Sequence, residues 1–156
     1  MTIAATLKGY LSSQAAEYEL VPHAHSQSTL ETAHTSHVSG KLIAKAVMLE
    51  DDDGYLMAVV PANHHVHLGH LHNQLGRHLR LATESQLADV FRDCELGAIP
   101  PLGPAYGIEM ILDDRLSDSA ELYFEAGDHE SLVRMSGEQF RRLAGAARVL
   151  HCRTEA

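Results

Sequence analysis

Lys45 stands inside an apolar run, Leu42-Ile-Ala-Lys-Ala-Val-Met-Leu49. On a strand it would share a face with Val47 and Leu49 and oppose Ala44 and Ala46. A lysine among core residues is costly unless it is paired or its head reaches the edge. A compact ammonium also suits a phosphate or a developing oxyanion. A strand-end lysine with a solvated head fits the same residues equally well. Further along, Gly97-Ala-Ile-Pro-Pro-Leu-Gly103 forms a loop with little polar side-chain content. Glycine permits positive φ and close approach of a ligand to the main chain, and proline stiffens the path. The N–H groups of Gly97, Ala98 and Ile99 could converge on an oxyanion or a ribose oxygen, the geometry that stabilises acyl-transfer transition states. A rigid connection between a helix and a strand is the plainer account, and the pattern alone favours it.

Histidine is the third chemical feature, with twelve in the chain. His64, His65, His67, His70 and His72 are crowded enough to bind a transition metal. They form no ordered ligand set such as HExxH, and no acid or cysteine completes a tetrahedral site. Solvated surface histidines are therefore expected, with no metal and no cofactor. Cys94 lies between Asp93 and Glu95, which raise a thiol pKa. GxSxG is absent. Nothing here supports a covalent nucleophile.

The elements that must position these residues follow from periodicity and punctuation. Ile3 to Ala16 spaces Ile3, Leu7, Tyr10 and Leu11 as an amphipathic helix, and Tyr18 to Pro22 reads as extended. Ser28 before Thr-Leu-Glu31 has capping-box spacing and opens a helix to about Val38. Ala44 to Glu50 and Tyr55 to Val60 read as a hairpin around the turn Asp51-Asp-Asp-Gly54. His64 to Gly76 is expected to be helical with Gly76 as C-cap, and Glu84 to Phe91 forms another helix. Strands are expected at Ile108–Leu112, Leu122–Ala126 and Leu132–Met135, then a terminal helix from Ser136 to about Leu150. Without strict βαβ alternation, the class is α/β or mixed α+β, with a mixed central sheet flanked by helices.

Composition narrows the partners. The 156 residues suit one domain, 1–156, with 45% apolar and 21% charged residues as in an ordinary globule. With 21 acidic against 12 basic side chains the net charge is −9, which excludes a broad basic face for DNA or long RNA. Small basic groups remain at Lys41 with Lys45 and at Arg77-His78-Arg80. No window approaches the roughly 20 apolar residues of a membrane span, and the N-terminus lacks the basic region of an export signal. Cys94 and Cys152 make no disulfide framework. A cytoplasmic location is expected.

Three segments occur in a telling order: Ala44-Lys-Ala-Val-Met-Leu49, the GxxxP loop Gly97-Ala-Ile-Pro-Pro101, and Tyr123-Phe-Glu-Ala-Gly-Asp-His-Glu-Ser-Leu-Val-Arg-Met-Ser136. From about Tyr18 to Leu143 the chain resembles the YbaK/EbsC, or prolyl-tRNA-synthetase-associated, domain family. Its members include free-standing trans-editing factors and the editing insertion of bacterial prolyl-tRNA synthetase. The resemblance implies a mixed sheet flanked by helices, and hydrolysis of the ester joining a wrong amino acid to tRNA. By matching position, Lys45 and Gly97 are the implied catalytic residues. Ala98, Ile99, Pro100, His23, Thr29, Gly127 and His129 are the implied substrate-binding residues. Water would attack the ester with help from the free ribose hydroxyl, needing no protein nucleophile or metal, and pocket size would select small amino acids. Pro100 departs from the serine common in cysteinyl-tRNAPro-type deacylases. The implied partners are the 3′ end of mischarged tRNA and an aminoacyl-tRNA synthetase, with no DNA and no membrane. The alternatives are a non-catalytic nucleotide- or protein-binding module on the same fold, and metal sequestration by the histidine tract.

Overall fold

A computed structural model describes residues 3–154. Met1, Thr2, Glu155 and Ala156, the outer limits of the expected 1–156 domain, lie outside the described residues. Helix α1 (Ala5–Ser13) buries Leu7 and Leu11, and strand β1 spans Glu19–Pro22. Helix α2 (Thr29–Ser36) starts where expected, with Ser28 Oγ accepting from the Glu31 amide. After a 3₁₀ turn at Gly40–Leu42, β2 (Ile43–Asp51) and β3 (Gly54–Pro61) form the predicted antiparallel hairpin. Then come α3 (Leu68–Leu75), β4 (Arg80–Leu81) and α4 (Glu84–Val90). A second 3₁₀ turn occupies Gly103–Tyr106. The chain continues through β5 (Met110–Asp113), α5 (Asp114–Ser117), β6 (Glu121–Glu125), β7 (Ser131–Ser136), α6 (Gly137–Ala144) and β8 (Arg148–Leu150).

The strands make one mixed sheet in the order β1-β7-β6-β2-β3-β5-β8, with β4 on β2. The expected mixed sheet flanked by helices is thus present. Alternation along β2 divides the core. Ala44 and Met48 join Leu7, Leu11, Phe124, Phe140 and Leu143 on the side of α1 and α6. Val47 and Leu49 join Leu56, Ala58, Val60 and Leu71 on the side of α3. Lys45 shares that second face, as its spacing predicts.

One edge of β2 is fully paired with β3. The other edge bonds β6 in parallel only at Ile43↔Tyr123 and Ala44↔Phe124, then β4 at Leu49↔Leu81 and Glu50↔Arg80. Between those pairings, at Lys45–Val47, that edge has no strand partner among the described residues. Lys45 and Glu125 are the next residues past the last β2–β6 pair.

Three expectations fail locally. The terminal helix stops at Ala144, because Gly145 turns the chain at φ 62° and ψ −122°. Arg148–Leu150 is a strand parallel to β5 instead. The helix expected from His64 begins only at Leu68, with His67 Nδ1 accepting from the His70 amide as its cap. The short elements β4 and α5 were not anticipated. No helix among the described residues is long and apolar enough to cross a membrane.

Candidate active site

Three segments distant in sequence are joined at one end of the sheet. The His23 amide donates to the Glu130 carbonyl (2.9 Å), and the Ser26 amide donates to the His129 carbonyl (3.1 Å). The Glu95 amide donates to the Gly127 carbonyl (2.8 Å). Gly127 makes this junction possible: its φ is 101°, and a Cβ there would lie 2.8 Å from that of Ala4.

The Gly97 loop is pinned by side chains from both neighbouring segments. Thr29 Oγ1 donates to the Gly97 carbonyl at 3.3 Å, and His129 Nε2 donates to the Leu96 carbonyl at 2.6 Å. Gly97 is exposed and left-handed, with φ 82°. A Cβ there would lie 3.2 Å from both the Gln27 carbonyl oxygen and His129 Nε2. Ala98, Ile99 and Pro100 are buried behind it. The Ala98 amide is committed to the Glu95 carbonyl at 3.1 Å. The expected convergence of three amides therefore narrows to those of Gly97 and Ile99, because the loop forms a tight turn through Ala98.

The expected site residues His23, Thr29, Gly97, Ala98, Gly127 and His129 thus come together. Lys45 stands apart. Its ammonium donates to the carbonyls of His64 (2.8 Å) and Ala62 (3.5 Å). It makes no ion pair or hydrogen bond with the His129 group among the described residues. Half-burial lowers its pKa from the ordinary lysine value. The His64 ring is held in turn by the C-terminal segment: Nδ1 donates to the Thr154 carbonyl at 2.8 Å. His64 is only 6% exposed, which corrects the expectation of a wholly solvated histidine tract. His65, His67 and His70 are exposed as expected. Among the described residues, no three histidine, cysteine or carboxylate side chains form a metal-ligating group.

Sequence reasoning missed Glu125. Its carboxyl is 2% exposed and lies between two imidazoles, 3.4 Å from His23 Nε2 and 2.9 Å from His129 Nδ1. Neither carboxyl oxygen meets an aligned hydrogen-bond donor. Burial pushes its pKa up to about 8, and the charges of Asp128 and Glu95 add to the rise, against a lowering by the Thr32 hydroxyl. The available signal was the glutamate four residues before His129, across a glycine turn. Ser26 and Thr32 share a short hydroxyl contact beside this group, and Ser26 is fully buried. Burial also pushes the Cys94 thiol up to about 12. That leaves the Cys94 thiol unactivated as a nucleophile.

A shallow groove beside Gly127 is lined by Arg92, Asp93, Cys94, Glu95, Asp128 and Glu130. Its four carboxylates against one arginine repel phosphate.

Solved structures share this fold. A protein solved in work on epitope backbone grafting onto scaffold proteins matches with TM-score 0.84 and 19% identity, over 98% of this chain and 97% of that one. A protein provisionally assigned as a trans-editing enzyme for prolyl tRNA synthetase matches with TM-score 0.83 and 21% identity, over 97% of each chain. A Marinobacter aquaeolei VT8 protein, provisionally assigned to signal transduction, matches with TM-score 0.81 and 21% identity. That match covers 99% of this chain but only 31% of the other protein. A comparison with curated proteins finds no match in sequence. The aminoacyl-tRNA editing domain, by contrast, matches residues 23–143, which include Lys45, the Gly97 loop and the Glu125–His129 turn. With most of its length matched, the chain belongs to the aminoacyl-tRNA editing domain family.

Proposed function

We propose that this protein is an aminoacyl-tRNA deacylase acting in trans, which hydrolyses the ester between a misattached amino acid and the 3′-terminal adenosine of tRNA. The observation that carries this reading is the arrangement at Gly97. A left-handed glycine sits exposed at the rim, with its own carbonyl and that of Leu96 bound by Thr29 and His129. The backbone amides of Gly97 and Ile99 are then held ready for the oxygen that gains charge as water adds to the ester carbonyl. The tetrahedral adduct collapses by breaking the bond to the ribose oxygen, which takes a proton as the free amino acid leaves. The neighbouring ribose hydroxyl assists the water, so no protein nucleophile takes part. Lys45, one step past the last β2–β6 pair, supplies a positive charge for the terminal phosphate.

Charge supports an approach to the RNA end alone. The net charge of −9 and the acidic groove beside Gly127 disfavour a long RNA footprint. A deacylation screen over tRNAs misacylated with small amino acids, at high enzyme concentration, tests the reading. Hydrolysis of at least one ester, lost in Lys45→Ala, is the expected result. No hydrolysis across the panel, with retained binding of an aminoacyl-adenosine analogue, would make the protein a non-catalytic binding module instead.

A further inference from the structure

The Glu125 carboxyl faces imidazole nitrogens whose protonation is fixed from the far side of each ring. His129 Nε2 lies 2.6 Å from the Leu96 carbonyl, which can only accept, so that nitrogen carries a proton. His23 Nδ1 lies 2.7 Å from the Ala24 carbonyl and carries a proton for the same reason. In neutral rings the remaining nitrogens, His129 Nδ1 and His23 Nε2, present lone pairs to the carboxyl. An ionised carboxylate against two lone pairs, in a site closed to water, is repulsive. One proton shared within the group turns the closer contact into a bond. It also leaves His129 Nε2 free to keep hold of Leu96.

We propose that Glu125 is a positioning residue for ester hydrolysis, acting through His129 to hold the Leu96 carbonyl and thereby the turn at Gly97. The His23 ring shields its other oxygen from water, with Nε2 3.4 Å away. The proposal rests on the reading that the Gly97 loop receives the ester. Every element around the carboxyl bears on it: Thr32 from α2, Asp128 from the following turn, Glu95 from the loop, and His25, paired with Glu95 and set edge-on to the His129 ring. Lys45, one register step past the last β2–β6 pair, forms no ion pair with Glu125 among the described residues. Loss of the shared proton would force His129 to turn its proton toward Glu125 and abandon Leu96. Activity would then fall at alkaline pH, where burial places the release of the Glu125 proton at about 8.

Two measurements test this. Nitrogen-15 spectra of histidine-labelled wild-type protein should find His129 protonated at Nε2 at neutral pH, with its Nδ1 signal shifting as Glu125 loses its proton. A ring protonated at Nδ1 and bare at Nε2 at neutral pH overturns the proposal. In single-turnover deacylation, Glu125→Ala should lower the rate by about tenfold or more with little change in KM. Glu125→Gln, whose amide can donate to His129 Nδ1, should restore most of that rate near neutral pH and remove the alkaline fall. Equal losses in both variants, or an unaltered pH profile in Glu125→Gln, also overturn it. The spectra need no substrate, so a failure of the deacylase reading is distinguished from a failure of the positioning by Glu125.

Discussion

Lys45 Nζ donates to the carbonyl oxygen of His64 at 2.8 Å, so the lysine head is anchored to the backbone of another segment and not to a carboxylate. That leaves its charge uncancelled, and half-burial keeps the surrounding dielectric low. Lys45→Met retains the apolar stem beside Val47 and removes the charge. Deacylation should fall by roughly a hundredfold, with a thermal midpoint no lower than that of the wild type. Retained activity would remove the lysine from the reaction.

Gly97→Ala should impair both fold and function. The residue sits at φ 82°, and an added Cβ would press on the Gln27 carbonyl oxygen and on His129 Nε2 at 3.2 Å. A stability loss of about 1–3 kcal/mol is expected from the strained backbone, read by urea unfolding. A larger fractional loss of deacylation should accompany it, because the displaced ring and amide are those that shape the loop.

Stability should decline as pH rises across the range set by Glu125. Its ordinary value of 4.5 is pushed up to about 8 in the folded protein. The folded state therefore keeps a proton that the unfolded chain releases. The stabilisation is fully present below about pH 4.5 and is lost as pH rises through about 8. Urea midpoints at pH 5 and pH 8.5 should differ in that direction, and Glu125→Gln should flatten the difference.

Both thiols should resist alkylation at neutral pH. Burial pushes Cys94 and Cys152 each up to about 12, and nearby Asp93 and Asp113 respectively add to the rise. Iodoacetamide treatment of the native protein should leave both unmodified by mass spectrometry, with deacylation unchanged.

Asp113 is fully buried and receives Arg153 at 2.8 Å and the Cys152 amide at 3.1 Å. Asp113→Ala would leave Arg153 to Asp114 alone and the buried Cys152 amide without its acceptor, and cost about 1–3 kcal/mol. Since Thr154 holds His64, and His64 holds Lys45, deacylation should fall even in the fraction that stays folded. Unchanged activity per folded molecule would show that the lysine needs no such anchor.

The hairpin, the Ser28-capped helix and the Lys45 face were legible because each depends on local alternation or on a cap within a few residues. The strand Arg148–Leu150 was not, because only its non-local partner β5 makes it a strand. The Gly97 loop was legible as a rigid turn, and its pins were not. Thr29 and His129 reach it from segments that meet only after the sheet has formed. Glu125 lay within the strand expected at Leu122–Ala126, where nothing local marks its carboxyl for burial. Its burial depends on His23 arriving from the far side of the chain.

The strip Cys152–Thr154 has a consequence for biosynthesis. His67 donates its amide to the Cys152 carbonyl, the Thr154 amide donates to the His65 carbonyl, and the His65 amide donates to the Thr154 hydroxyl. A ribosome-bound chain could assemble the hairpin and the glycine loop while this strip was still inside the exit tunnel. The seat of Lys45 would be finished only once Thr154 had emerged, so a chain cut short before Thr154 would carry the hairpin and the glycine loop without the anchor of its lysine.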